Sequence, residues 1–291
     1  MPIVNLEIAS FRNLRSLSIQ PSPALNWFIG KNGSGKTSLL EALFLISTGR
    51  TFRSSNARHY IANGASCCRV VTSLSAEDEN CFSDVVGIER DSEGKFTARR
   101  NGQNIRKLSD LARLFPMVTL LPDSVELLCG EPAARREFID WTMFHVEHNG
   151  DYLEVYRKYT LALQSRNKLL RDFNGRSLGY LNLSQIKQLD AWDEQFAYWG
   201  ERLGEYRQQF LAHFFSLLCS SQTDYPEAFG NPSYQLQQVS FTYQRGWSAG
   251  KTLEELLSES RERDLERGTS TQGPHRFDFK VFYEGLQVKD Y

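Results

Sequence analysis

A chain of 291 residues that is 41% hydrophobic and 24% charged can bury a substantial core, which excludes a disordered polypeptide and leaves room for one large domain or two ordinary ones. Its 34 Lys and Arg against 35 Asp and Glu leave a net charge of −1, so any contact with a polyanion must rest on basic residues gathered locally. The most continuous apolar stretch, Phe210 to Cys219, is interrupted by His213 and Ser216 and falls short of the roughly 20 residues of a membrane span. With no signal peptide at the N-terminus, a cytoplasmic protein without membrane association is expected.

In chain order, strand alternation comes first, with Val4, Leu6 and Ile8 on one face, then Leu17 and Ile19, then an apolar run Trp27-Phe28-Ile29 that reads as a buried strand ending at Gly30. From Lys36 the spacing of Leu39, Leu40, Leu43, Phe44 and Ile46 predicts a helix, with Gly49 as its stop. Cys68 to Leu74, Phe82 to Ile88 and Phe96 to Arg100 read as strands, and Asn101-Gly102 as a hairpin turn. Met117 to Leu121 reads as a further buried strand, cut off by Pro122. After it the pattern becomes helical: Asp151 to Phe173, ended by Asn174-Gly175, and Ser184 to about Ser220 form a predicted antiparallel helical hairpin. If continuous, the longer helix would extend roughly 55 Å. Strand alternation returns from Tyr234 to Tyr243, a helix from Leu253 to Arg267, and a strand from Phe277 to Tyr283. The expected organisation is an α/β lobe over 1–121, a helical lobe over 122–270, and a return toward the first lobe over 271–291. The five cysteines have no C-x-x-C spacing and read as incidental or buried thiols.

The chemistry centres on Gly30-Lys31-Asn32-Gly33-Ser34-Gly35-Lys36-Thr37, which satisfies G-x-x-x-x-G-K-[ST] between a predicted strand and a predicted helix. Glycines let such a loop curl around a phosphate, successive amides make an anion nest, and the helix N-terminus adds favourable potential. In this pattern Lys36 bridges the β- and γ-phosphate oxygens of ATP, and the Thr37 hydroxyl ligates Mg²⁺.

Further motifs resemble one family. Phe11-Arg12-Asn13, the loop's Asn32-Gly33-Ser34-Gly35, Leu40-Glu41-Ala42-Leu43 and Thr48-Gly49-Arg50-Thr51-Phe52-Arg53-Ser54 resemble the RecF family, ABC-type ATPases related to the heads of SMC proteins. Leu128-Cys129-Gly130-Glu131-Pro132 with Arg135-Arg136-Glu137-Phe138-Ile139-Asp140 looks like the family's L-x-G-x-P-x-x-R-R-x-F-[LI]-D segment. Gln164 to Arg171, Gln244-Arg245-Gly246-Trp247 and Gly273-Pro274-His275-Arg276 extend the resemblance nearly to the last residue. The resemblance implies a P-loop ABC-type ATPase head with a mixed β-sheet lobe and an inserted helical lobe. It also implies ATP and Mg²⁺ as cofactors, weak DNA-stimulated ATPase activity, and binding to single-stranded and duplex DNA at gaps or junctions. Recombinase loading and SOS induction, RecR and RecO as partners, and an ATP-dependent homodimer complete the family's expected properties. Resemblance to SMC-type heads places Arg12 and Asn13 where they could touch the nucleotide, against surface or packing roles.

Family members continue past the position of Tyr291 into an L-S-x-G-Q-like signature and an acidic Walker B strand; neither is in this sequence, so the chain reads as shortened, and a normal ATP-sandwich dimer is not expected of it. Val118 to Asp123 imitates a Walker B but falls in the Q-loop region of ABC-type order, leaving Asp123 as a metal or water contact or a structural cap. No catalytic carboxylate is assigned, and ATP binding is the expectation rather than turnover. Arg50 and Arg53 stand near the γ-phosphate, at DNA, or in solvent, and Lys95, Arg99, Arg100, Arg106 and Lys107 contact a duplex backbone or keep a hairpin soluble. Arg135-Arg136 either anchors the helical lobe to the sheet or reaches DNA. His145-Val146-Glu147-His148 fits no metal spacing, and Trp192, Phe196 and Trp199 read as a packed helix face. The alternative is a shortened, non-catalytic DNA- or partner-binding fragment; a P-loop kinase or transporter subunit is weaker still.

Overall fold

A computed structural model describes residues 2–54, 56–75, 84–146, 151–173, 177–220 and 238–290. The chain divides into two compact units, 1–120 and 121–291. In the first, β1 (Ile3–Phe11), β2 (Leu14–Ile19), β3 (Cys67–Leu74), β4 (Asp84–Asp91), β5 (Phe96–Arg100) and β6 (Gln103–Asn104) form one sheet in the order β2-β1-β3-β4-β5-β6. Each of its pairings is antiparallel. Register follows the period-2 pattern: Ile8 opposes Val70, and Val70 opposes Ile88, so one face of three strands is apolar and buried. Helix α1 (Lys36–Thr48) contributes Leu39, Ala42, Leu45 and Ile46 to this core, and α2 (Leu108–Leu114) contributes Leu111. Leu40, expected on the inner stripe, is 43% exposed because the stripe follows Leu39 and Ala42 instead. Asn101 and Gly102, at φ 50 and 81, make the predicted tight turn, since both positions need the left-handed backbone.

Two predicted strands are not strands. Residues 25–29 have no ladder partner, and Trp27 and Ile29 are 78% and 92% exposed. The segment 115–121 is likewise irregular, with Val118 and Leu120 exposed. Apolar composition alone makes no strand: the ladder hydrogen bonds come from a neighbour, and among the described residues neither run has one.

The second unit contains α3 (Glu126–Cys129), α4 (Pro132–Val146), α5 (Asp151–Asp172), α6 (Leu183–Ser220) and α7 (Leu253–Arg267), with a small antiparallel sheet of β7 (Val239–Gln244), β8 (Asp278–Tyr283) and β9 (Leu286–Gln287). Helices α5 and α6 pack side by side through Tyr159 and Phe196, whose ring centroids lie 5.3 Å apart. Trp192 and Trp199 pack against the same core as partly buried rings. Helix α7 opens with a capping box between Thr252 and Glu255 and closes at Gly268, φ 63. Buried Arg166 of α5 donates to Asp193 of α6 at 2.5 Å and to Asp264 of α7 at 2.8 Å, tying three helices together. The start of the predicted Phe82–Ile88 strand, the Asn174-Gly175 stop and the start of the Tyr234–Tyr243 strand lie outside the described residues.

Candidate phosphate-binding loop

The loop Gly30–Gly35 runs directly into α1. Gly33 and Gly35 take left-handed backbone, φ 80 and 105. At Gly35 a Cβ would stand 2.7 Å from Leu14 Cδ2, the movable end of a side chain, so it is the left-handed conformation that calls for glycine. The Ser34 amide donates to Lys31 O at 3.2 Å, and the helix begins as the Leu39 amide donates to Gly35 O at 2.9 Å. Lys36 Nζ donates to Gly30 O at 2.6 Å and to Lys31 O at 2.9 Å, which lays the ammonium across the loop. Among the described residues, the amides of Asn32, Gly33, Gly35, Lys36 and Thr37 have no partner, and neither has the half-buried Thr37 hydroxyl. Unused amides, a lysine and the N-terminus of a 13-residue helix together make a strongly anion-seeking surface.

Arg12 and Asn13 form the β1–β2 turn, and both are engaged with the loop or its helix. The Asn13 amide donates to Gly33 O at 2.9 Å, while its carbonyl accepts from the Ser38 hydroxyl at 2.8 Å. Arg12 holds both oxygens of buried Glu41 and donates to His59 O at 3.1 Å. Its own amide donates to Tyr60 O at 2.6 Å, which holds this non-glycine residue at φ 50. In the structure both side chains act on the loop's position.

The remaining predicted site residues are spread over both units. Arg50 and Arg53 follow α1 and are exposed. Arg99 and Arg100 point to opposite faces of β5. Arg99 donates to Asn104 Oδ1 at 3.2 Å, whereas Arg100 pairs with Asp84, and that hydrogen bond holds the Asp84 carboxyl below its ordinary range. Asp123 is exposed on a short 3-10 turn, Pro122–Val125, in the second unit. Arg135 and Arg136 are anchors: Arg135 pairs with Asp278 at 2.6 Å, and Arg136 donates to Phe277 O at 2.9 Å. His145 is partly buried among the rings of Trp141 and Phe144, and burial lowers its pKa; Glu147 and His148 lie outside the described residues.

Sequence reasoning did not single out Glu41 and Ser38 as supports of the loop. Glu41 carries a visible signal, a carboxylate inside the apolar stripe Leu39, Ala42 and Leu45, which is inconsistent with burial unless a cation meets it. Ser38 carries none.

The chain matches the family model described as the RecF/RecN/SMC N terminal domain over residues 2–268. It is 35% identical over 285 residues to the DNA replication and repair protein RecF of Marinomonas sp. (strain MWYL1), covering 97% of this chain and 71% of that relative. Against the protein of the same name from Pseudomonas paraeruginosa (strain DSM 24068 / PA7) the identity is 32% over 285 residues, with 98% and 72% covered. A solved structure of the recombination mediator protein RecF-ATP in the RecFOR pathway superposes with a TM-score of 0.79 at 23% identity, covering 100% of this chain and 75% of that one. That likeness establishes the fold, an α/β P-loop ATPase head of the RecF/SMC type.

Proposed function

The chain belongs to the RecF family, and from that premise we propose that it is an ATP-binding protein of DNA replication and recombinational repair, holding the triphosphate in the loop Gly30–Thr37. The observation that carries this reading is the set of unpartnered amides of Asn32, Gly33, Gly35, Lys36 and Thr37 in the loop that the Lys36 ammonium spans, a donor array that suits phosphate oxygens. ATP is the nucleotide of the RecF-ATP structure whose fold the chain shares.

Mg²⁺ fits the same residues. Among the described residues no three His, Cys, Asp or Glu side chains could hold a metal together, so Thr37 Oγ1 would hold the ion jointly with phosphate oxygens. Bound there, Mg²⁺ supplies charge neutralisation along the phosphates. Arg12 and Asn13 belong to the nucleotide site by fixing Gly33 and α1. Arg50, Arg53, Arg99 and Arg100, all exposed, are the proposed phosphate or DNA contacts, with Arg99 bonded to Asn104 and Arg100 engaged by Asp84. Binding of single-stranded and duplex DNA at gaps or junctions, recombinase loading, RecR and RecO as partners and SOS support complete the proposal; a normal ATP-sandwich homodimer is not part of it. The organisation is part of it, with the helical unit as the inserted lobe and 271–291 as the start of the return. A cytoplasmic location belongs to the same proposal; among the described residues no helix is long and apolar enough to cross a membrane.

The test is titration with a fluorescent ATP analogue. Lys36→Met is expected to weaken binding roughly 100-fold, the loss of one strong charge-assisted contact; equal affinities would overturn the reading. Duplex affinity measured with and without ATP separates the second reading, since indifference both to ATP and to Lys36→Met describes a DNA- or partner-binding fragment.

A further inference from the structure

In the second unit, three guanidiniums hold the segment Pro274 to Asp278. Buried Arg207, paired with both oxygens of Asp140 at 2.8 and 2.9 Å, donates to Pro274 O at 2.8 Å. Arg136 donates to Phe277 O at 2.9 Å. Arg135 reaches the two oxygens of Asp278 at 2.6 and 3.3 Å. The backbone inside this clamp has little freedom: Gly273 lies at φ 127, where a Cβ would meet Phe196 Cζ at 2.7 Å. Phe277 is fully buried, and the His275 ring is held between Tyr159 Oη at 2.8 Å and Ser270 O at 2.9 Å. Of the polar side chains in this run only Arg276 lacks a partner among the described residues, and it is exposed.

Arg136 feels the positive charge of Arg207 and Arg276, and the carboxylates acting on it, Asp278 and Asp140, are already paired with Arg135 and Arg207. Burial, with the positive charges of Arg207 and Arg276, pulls the Arg136 guanidinium below its ordinary pKa despite the nearby carboxylates. Crowded like charge next to a half-buried guanidinium is unfavourable in the free chain, and an anion relieves it. A planar guanidinium on an immobilised backbone also loses little freedom when its fork closes on a phosphate.

We propose that Arg276, with Arg136 adding to the local field, forms a phosphate-recognition site in the second unit. The chemistry is a phosphate group, supplied by a nucleic-acid backbone or as free phosphate. The site does not depend on the reading of the Gly30–Thr37 loop.

The test uses the full chain in a Lys36→Met background, so that phosphate at the Gly30–Thr37 loop does not contribute. At a phosphate concentration about ten times its dissociation constant, the melting temperature should rise by roughly 3 °C over a chloride control of equal ionic strength. Arg276→Ala should abolish the rise, Arg276→Lys should retain part of it, and without phosphate Arg276→Ala should be no less stable, because the removed charge is exposed and repelled. Duplex binding by fluorescence anisotropy identifies the source. If Arg276→Ala weakens it about tenfold and lowers the salt slope by about one, the ligand is a nucleic-acid backbone. If duplex affinity is unchanged while the phosphate rise is lost, the ligand is free phosphate. An equal phosphate response and equal duplex affinity with and without Arg276 would overturn the proposal, whether or not the Gly30–Thr37 loop binds ATP.

Discussion

Arg12 and Glu41 meet as a two-pronged ion pair that fastens the β1–β2 turn to α1, one helical turn beyond Thr37. Glu41 is fully buried, while the Arg12 side chain keeps 20% of its surface. Arg12→Ala therefore leaves a carboxylate buried without its cation, and should cost about 3 kcal/mol in urea denaturation. Arg12→Met with Glu41→Leu should recover most of it, since no charge is then stranded. A loss under about 1 kcal/mol for the single variant would show that the pair holds nothing that packing does not.

Asn13 works through two neutral hydrogen bonds, one to Gly33 O and one from Ser38. Asn13→Ala is expected to weaken ATP about tenfold with a change in stability near 1 kcal/mol, because it frees the loop without emptying the core. Asn13→Asp should be worse for ATP than alanine, as it replaces the donor to Gly33 O with an acceptor and adds negative charge where phosphate is to bind. Calorimetric titration of the two variants decides the order; an aspartate as good as asparagine would exclude a role for the Gly33 contact.

Arg166 is a fully buried polar junction of the second unit, bonded to Asp193, Asp264 and Ser270. Arg166→Met leaves buried Asp264 with neutral donors only, while Asp193 keeps Arg261 at 2.5 Å, and should cost roughly 3 kcal/mol. Hydrogen exchange should show the loss of protection concentrated in α5, α6 and α7. Uniform loss across both units would contradict this assignment.

Burial lowers the His275 imidazole to about 4, so the folded chain keeps it neutral while the unfolded chain takes up a proton near pH 6.5. Between those values the unfolded state binds more protons, and stability falls as pH is lowered from about 6.5 to about 4, by about 3 kcal/mol in total. The contribution is flat above that window. His275→Gln should remove this part of the pH slope while lowering stability at pH 7, and an unchanged slope in urea titrations would assign acid sensitivity to other groups.

Much of the fold was legible because its signals are local. The 3.6-residue spacing marked α1, α5 and α6, and Asn101-Gly102 marked a turn whose backbone other residues resist. The apolar runs 27–29 and 117–121 misled for a physical reason: a short hydrophobic run carries the tendency to pair but no information on whether a partner edge stands beside it.

The sequence by itself marked the candidate loop Gly30–Thr37, since its glycines, its lysine and the helix that follows lie within a few residues, whereas the contacts from Asn13 and Arg12 that hold the loop and its helix come from a turn some 20 residues away. Only the tertiary structure decided the fate of the charges. Arg12 finds Glu41 across 29 residues, Arg166 finds Asp264 across 98, and Arg135 finds Asp278 across 143. A charge is buried or presented according to which opposite charge the fold brings to it, because desolvation is tolerable only where that partner is in reach. That selection leaves Arg276 exposed in a segment that three other arginines hold, through Pro274 O, Phe277 O and the Asp278 carboxylate.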